Sequence, residues 1–509
     1  MTDFTAPTDD ILFSLRHVAG AHRAADWDDA LASDILGHFA QFAEGVLAPL
    51  NAVGDAQGAR LVEGRVIMPD GFRDAYAQLA EGGWQGLRAP ERFGGMEQPA
   101  LVAAGVSEVF SGANHAMQMV CTLVPGAIET LLHFGTPDQQ ETWIPRLASG
   151  EVLSTMCLTE AGAGSDLSGI RCKAVRDGEG WRLEGEKIFI SGGDQDMSTG
   201  ILHLVLARSG SVEDGLKGLS LFLCSGDDGV TVTRIEEKLG LHASPTCQLA
   251  FQGTRAELVG AEGDGLRAMF TVMNHARLDV ALQGVAHAAR ASQIATAYAN
   301  DRVQGRRKDG SPARLSDHAD VQRMLAEQAS LAIGARAMCH VAFVEMACGT
   351  RPDLVAFLTP LCKVFGSEAG IKAADLGIQV LGGYGYLNEY QIGQVWRDAR
   401  ITSIYEGANG IHERGIATRG LKGPGADQFV DLIRELGGAS DRVSADLADW
   451  ITWRDRMRAE AEAEHEAHAF AQATARLYFR ACWAKCASVA DMHAEPSRIS
   501  GLAERVLSS

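Results

Sequence analysis

No Cys-x-x-Cys pair occurs among the ten cysteines of this chain. That removes the usual zinc and redox motifs and points to reduced, mostly buried thiols. Cys482 and Cys486 come nearest to a pair, on one face if their segment is helical. Basic charge is also scarce: 46 Lys and Arg against 65 Asp and Glu leave a formal charge of −19, which excludes a broad nucleic-acid surface. Such a chain binds anionic ligands locally, through single arginines or helix N-termini. A continuous apolar run of about eighteen residues is missing, so no membrane span is expected. The first residues, Met1-Thr2-Asp3-Phe4, lack the basic and apolar regions of a signal peptide and the arginines of a transit sequence. The expected location is the cytoplasm. There is no internal repeat and no low-complexity tract, and 509 residues suit about two to four domains.

The texture along the chain changes three times. Residues 1–153 read as mostly helical. Within them Gly135-Thr136-Pro137-Asp138-Gln139-Gln140 predicts a helix start, with Thr136 as N-cap and Pro137 at the first position. Residues 154–264 hold short β-branched segments such as Ile201–Leu206 and Leu219–Leu223, divided by Asp and Gly, and predict a small antiparallel β-domain. Residues 265–420 return to the helical period over 265–300, 317–348, 356–381 and about 408–420, which predicts a four-helix bundle. Gly423-Pro424-Gly425 then breaks the chain. Residues 421–509 form an additional tail, helical over 426–437 and 441–493. It is free to lie over the bundle, fill a dimer interface or dock a partner.

One stretch carries chemistry on its face: Trp396-Arg397-Asp398-Ala399-Arg400-Ile401-Thr402-Ser403-Ile404-Tyr405-Glu406-Gly407-Ala408-Asn409-Gly410. A lone carboxylate follows an apolar pair and precedes a glycine that permits a sharp turn or a close ligand. Partly desolvated at a pocket mouth, Glu406 has its pKa raised and serves as a general base. The competing structural reading is a cap on a helix starting near Asn409. In the tail, His465 and His468 are spaced to share a ligand but sit among Glu460, Glu462, Glu464 and Glu466. A solvated acidic face is the expectation there, with no metal.

Two further motifs precede that stretch: Cys157-Leu158-Thr159-Glu160-Ala161-Gly162-Ala163-Gly164-Ser165-Asp166 and Gly185-Glu186-Lys187-Ile188-Phe189-Ile190-Ser191-Gly192-Gly193. Gly162 and Gly164 do not mark a dinucleotide fold, because position 167 is leucine and no strand–helix unit with a later acid follows. The three motifs, in this order and at these separations, resemble the acyl-CoA dehydrogenase family of flavoproteins over about residues 35–420. The resemblance implies an α+β fold with an N-terminal helical domain, a middle antiparallel β-domain and a C-terminal four-helix bundle, FAD lying between the last two. It implies removal of the α-proton of an acyl-CoA thioester by Glu406, with FAD accepting the β-hydride, to give a trans-2-enoyl-CoA. Some members carry the base one residue before an arginine on the first bundle helix; here Ala276 precedes Arg277, so Glu406 has no rival.

By the same resemblance Leu158, Thr159, Gly164, Ser165, Phe189 and Ser191 meet FAD, with Phe189 and Ser191 where members more often have Trp and Thr. Ala161 stands for the usual proline, and Ala408 for a flavin-bonding threonine; Ala408 and Gly410 remain at the cofactor. Ser165, Asn274, Arg277, Tyr405 and Gly407 fall on the substrate side. Arg302 in Asp301–Arg306, and Gln379 and Gly383 in Gln379–Tyr386, match elements that reach the pyrophosphate of FAD in a neighbouring subunit, which implies a homodimer or homotetramer. Electron-transfer flavoprotein is the implied acceptor. Lys238–Cys247 and Met273–Leu278 are similar to a branch that has an extra C-terminal helical domain and includes bacterial 3-methylmercaptopropionyl-CoA dehydrogenases. The implied substrate is a short- to medium-chain acyl-CoA. An oxidase or monooxygenase on the same scaffold, and an acyl-CoA-binding protein without turnover, are the alternatives.

Overall fold

Thr136 starts its helix as its neighbours dictate. In the computed structural model its Oγ1 accepts from Gln139 N, while Gln139 Oε1 accepts from Thr136 N, and Pro137 opens the helix Pro137–Ala148. Gln139 also donates through Nε2 to Glu257 Oε2 and Leu258 O, fastening the helix to a strand. Thr136→Ala removes the cap and is expected to cost about 1 kcal/mol, measured as a lower denaturant midpoint; an unchanged midpoint refutes it.

The structure describes residues 3–459 and 463–508, the side chains of 271–275 and 463 excepted. These divide into two compact units. One comprises Met1–Ala48, Pro99–Ala113 and Arg277–Ser509, the other Pro49–Gln98 and Asn114–Ala276.

The second unit is built on a seven-stranded sheet. Its strands run in the order Val152–Cys157, Gly200–Arg208, Lys173–Asp177, Gly180–Ser191, Thr246–Val259 and Leu219–Ser225; Val230–Ile235 also pairs with Thr246–Val259, and Gly200–Arg208 with Leu219–Ser225. Pairing is largely antiparallel, as expected, but Val152–Cys157 runs parallel to Gly200–Arg208 over six residue pairs. Residue pattern reveals a strand but not its partner, and a parallel neighbour must wait for a long connection; here that connection, 158–199, carries both flavin-like motifs. Strand Gly200–Arg208 is buried along nearly its whole length, which accounts for its continuous apolar sequence.

The first unit is helical. The long helix Gly265–Asp301 enters it at Arg277. Ala319–Cys348 ends at Gly349, whose φ of +66° closes it, and Pro352 opens Pro352–Leu381 three residues later. The fourth expected helix is short: Asn409–Gly415, prolonged by a π-turn, Ile416–Gly420. A further helix, Ile392–Ala399, was not expected; its eight residues give too little period to read. The helices 265–301 and 352–381 touch backbone to backbone. A Cβ on Gly284 would lie 2.1 Å from Gly366 O, and one on Gly370 2.5 Å from Gly284 O.

The helices Ala319–Cys348 and 352–386 are long and apolar enough by length and composition to cross a membrane. In the fold, 78% and 61% of their apolar windows are buried, against each other and against the tail.

The tail forms Gly425–Gly437, Asp441–Ala459, Ala467–Ser488 and Pro496–Ser508 rather than one helix over 441–493. Trp450 meets Phe470 at 5.7 Å and donates to Thr474 Oγ1, contacts that need the chain folded back on itself. Of the three positions open to the tail, the observed one is on the bundle of its own chain. Tyr478 Oη donates to Met338 O, Trp483 Nε1 donates to Ser330 O, and Phe429 packs on Phe357. All ten cysteines are free; nine are buried, Cys482 and Cys486 completely.

Candidate active site

Glu406 sits in a backbone conformation that few side chains adopt. Its φ is +53°, and Gly407 follows at +95°. A Cβ on Gly407 would lie 2.7 Å from His412 Nε2, so glycine is required there by conformation and by space. The turn aims the Glu406 carboxyl inward: the residue is half-buried, yet Oε2 is enclosed and, among the described residues, has no hydrogen-bond partner. The carboxylate does not cap the following helix, whose N-cap is Ala408. Left-handed non-glycine backbone together with an unsatisfied buried carboxyl is costly, and both are held here by neighbours.

Those neighbours are specific. Lys363, completely buried on helix 352–381, donates through Nζ to Gly407 O at 2.7 Å and to Asn409 Oδ1 at 2.9 Å. His412 Nε2 donates to Glu406 O at 3.0 Å, on the other side of the turn. Tyr405 Oη donates to Gln283 Oε1, and Gln283 Nε2 to Asp279 Oδ2 at 3.1 Å. Burial pushes the Glu406 carboxyl up to about 7, opposed by the positive charges of Arg277 and Lys363. Burial also pulls Lys363 down to about 8, against the Glu406 charge, and His412 down to about 4. Desolvation therefore outweighs two cations and leaves a carboxyl poised near neutrality. The sign for a base is direct: only the ionised form accepts a proton. The rate constant kcat/KM of the free enzyme is expected to rise about tenfold per pH unit below 7 and to level off above it. A profile flat from pH 5.5 to 8 would contradict this.

The flavin-like motifs lie in the other unit and are joined there by a residue that sequence reasoning left without a role. Lys187 is fully buried, and its Nζ donates to Leu158 O at 3.0 Å and Glu160 Oε1 at 2.8 Å. Ile188 N donates to Thr159 O, which brings the two motifs side by side. Phe189, one residue on, has φ +60° at a register shift between Lys187 and Ile190, and is 59% exposed. A large aromatic held out by a left-handed bulge is a surface prepared for a planar ring. Leu158 is buried, Thr159 and Ser191 are half-buried, and Gly164 and Ser165 are exposed, with open space where a Gly164 Cβ would stand.

A third group gathers in the first unit. Arg302, Gln304, Gly382, Gly383 and Tyr384 line a pocket of about 450 Å³. The Arg302 guanidinium lies 5.6 Å from the centre of the Tyr384 ring, and no atom lies within 4 Å of a Cβ built on Gly382 or Gly383. A cation, an aromatic face and bare backbone suit a diphosphate with an attached base. Gln379 is outside the lining but accepts from Gly382 N at the helix end. Ala408 and Gly410 are exposed around the start of helix 409–415. The Asn274 side chain lies outside the described residues. The residues present fit FAD: an open aromatic, a bare glycine turn, and an arginine beside open glycines.

Arg277, Tyr405, Glu406 and Gly407 are thus brought together, and so, separately, are Arg302 and Gly383. Lys363, His412 and Gln283 were missed. Lys363 had a signal, as a single cation in the apolar run Leu361-Cys362-Lys363-Val364-Phe365, which must be paired if the helix is buried. His468 is exposed, as a solvated face implies, and its Nδ1 donates to Glu413 Oε1 at 2.9 Å.

Comparison with known proteins gives consistent matches. Residues 33–151, 155–254 and 263–421 match the N-terminal, middle and C-terminal domains of acyl-CoA dehydrogenases. The 3-methylmercaptopropionyl-CoA dehydrogenase of Ruegeria pomeroyi is 38% identical over 488 residues, covering 88% of this chain and 83% of that protein. Among solved structures, Caenorhabditis elegans ACDH-11 in complex with C11-CoA has a TM-score of 0.85 at 21% identity, covering 99% of this chain and 91% of that one. The Bacillus anthracis acyl-CoA dehydrogenase complexed with FAD has a TM-score of 0.78 at 21% identity, covering 96% and 88%. At these identities the two structures speak for the fold.

Proposed function

The chain belongs to the acyl-CoA dehydrogenase family, oxidoreductases acting on CH–CH bonds, and on that premise we propose that it dehydrogenates a short- to medium-chain acyl-CoA to the trans-2-enoyl thioester. The substrates to test first include 3-methylmercaptopropionyl-CoA, on which the Ruegeria relative acts. The observation that carries the reading is the Glu406 carboxyl: enclosed, unbonded at Oε2 among the described residues, and pushed up to about 7.

Bound FAD supplies the acceptor for the β-hydride. The chain's own residues do the rest. Glu406 removes the α-proton through Oε2 and holds it, the neutral acid being favoured in a dry surround. As that proton leaves, charge gathers on the thioester oxygen, which in this reading accepts a hydrogen bond from the Glu406 backbone N–H. Arg277 and Lys363 set how basic the carboxylate is. Tyr405, Gly407, Asn274 and Ser165 contact substrate in this reading. Leu158, Thr159, Gly164, Ser165, Phe189, Ser191, Ala408 and Gly410 hold the flavin portion of FAD. Arg302, Gln379 and Gly383 meet the pyrophosphate of FAD bound by a second copy of the chain, so the proposed assembly is a homodimer or homotetramer. Electron-transfer flavoprotein is the proposed electron acceptor.

The test is a panel of acyl-CoA thioesters of graded length and polarity, mixed anaerobically with the yellow holoenzyme. Bleaching by a short- or medium-chain member, without peroxide in air, is the expected outcome. Substrate-dependent peroxide formation would favour an oxidase instead, and no bleaching by any member would refute the reading.

A further inference from the structure

The tail helix Ala467–Ser488 reaches toward the base-bearing turn through a continuous set of polar contacts. Gln472 Nε2 donates to Glu368 Oε2 at 2.9 Å and to Glu413 Oε1 at 3.2 Å. Glu368 lies on helix 352–381, and its other oxygen, Oε1, accepts from Asn409 Nδ2 at 3.2 Å. Asn409 Oδ1 accepts from Lys363 Nζ, and Lys363 holds Gly407 O. Glu413 belongs to the helix whose His412 grips Glu406 O, and Glu413 Oε1 is shared with His468 of the tail. One amide thus bridges two carboxylates, each lying on or bonded to an element that fixes one side of the 406–407 turn.

We infer that Gln472 is a positioning residue for the catalytic base, so that the C-terminal tail completes the active site of its own chain. This rests on the reading of Glu406 as the base. The physical argument is one of restraint. The turn has left-handed backbone at Glu406 and an enclosed Oε2 without a partner among the described residues, so it relaxes unless both flanks are tied. Glu368 and Glu413 carry like charge; Asn409 holds one and His468 the other, and Gln472 is the donor that ties the two together. A neutral amide with two N–H groups satisfies both at once. Contacts to ionised acceptors are the stronger class, which is why a single side chain on an otherwise peripheral helix carries weight at the centre.

The test compares two variants of the full-length holoenzyme. Gln472→Met keeps length and shape but donates nothing. Gln472→Lys restores a donor able to bridge both carboxylates. Amide hydrogen exchange of the segment 404–412 and the limiting rate of flavin reduction by acyl-CoA are both measured. Gln472→Met is expected to exchange about tenfold faster over 404–412 and to reduce about fivefold to tenfold more slowly, with Gln472→Lys recovering most of both. A role in tail stability alone would lower the melting temperature and leave segment 404–412 and the reduction rate unchanged. If Gln472→Met matches wild type in both readouts while Glu406→Gln is inactive, the inference falls and the base assignment stands. If Glu406→Gln reduces at the wild-type rate, the base assignment is wrong and the inference goes with it.

Discussion

Replacing Glu406 with glutamine is expected to lower the rate of flavin reduction by acyl-CoA by about 10²- to 10⁴-fold while the protein stays yellow. The amide has the size of the carboxyl and keeps the turn's geometry, but it cannot take a proton. The exchange removes none of the residues proposed to hold FAD, among them Phe189 on its bulge and Arg302 by its glycine pocket. Cofactor content is therefore a control that should not move. The substitution removes one charge from between Arg277 and Lys363, whose fields both act on Glu406. Because Oε2 has no bonded partner among the described residues to lose, the fold is expected to tolerate the change. Stopped-flow absorbance of the oxidised flavin, mixed anaerobically with substrate, measures the rate. Bleaching at an undiminished rate would remove Glu406 from the chemistry.

The largest effect on stability is expected at a buried ion pair. Arg336, on helix 319–348, is completely buried; its Nε donates to both oxygens of Glu108, at 2.9 and 3.1 Å, and its Nη2 donates to Oε1 at 2.7 Å. Glu108 is itself buried, and Asp10 lies 3.6 Å from Nη1. Glu108→Met leaves the guanidinium with Asp10, a carboxylate already shared with His493 and Arg498, and a cost of about 3–5 kcal/mol is expected. The double variant Glu108→Met/Arg336→Met removes both charges and is expected to recover most of that loss, because an apolar pair of similar volume is often as stable as the ion pair it replaces. Chemical denaturation of the three proteins decides it. A single variant costing under about 1 kcal/mol, or a double variant no better than the single, would show that the pair is not what holds this part of the core.

Local chemistry was readable in the sequence where it is spent locally. Thr136, Pro137 and Gln139 make their capping box within four residues, and the helix begins where they predict. Glu406-Gly407 announces a turn that only glycine completes, and the structure has it. The three motifs, each contiguous in the chain, carry the family resemblance on their own. What escaped is held by residues far apart in the chain. Lys363 meets Gly407 across 44 residues, and Gln472 meets Glu368 across 104; no window of sequence contains both ends. The parallel pairing of Val152–Cys157 with Gly200–Arg208 is hidden in the same way. The stretch 441–493 reads as one helix because alanine, glutamate and arginine favour helix wherever they occur. Its fold-back is decided by Trp450 and Phe470 finding each other.

The contact of helices 265–301 and 352–381 at Gly284, Gly366 and Gly370 has a consequence for how this site can be altered. Arg277 and Gln283 ride on one helix, Lys363 and Glu368 on the other, and the crossing leaves no room for even a methyl group. A side chain there would prise the two apart like a wedge in a hinge, moving cation and base neighbours together and by the same stroke. Retuning for a bulkier acyl group must therefore work at the rim, leaving that crossing as the fixed datum from which every other distance in the site is set.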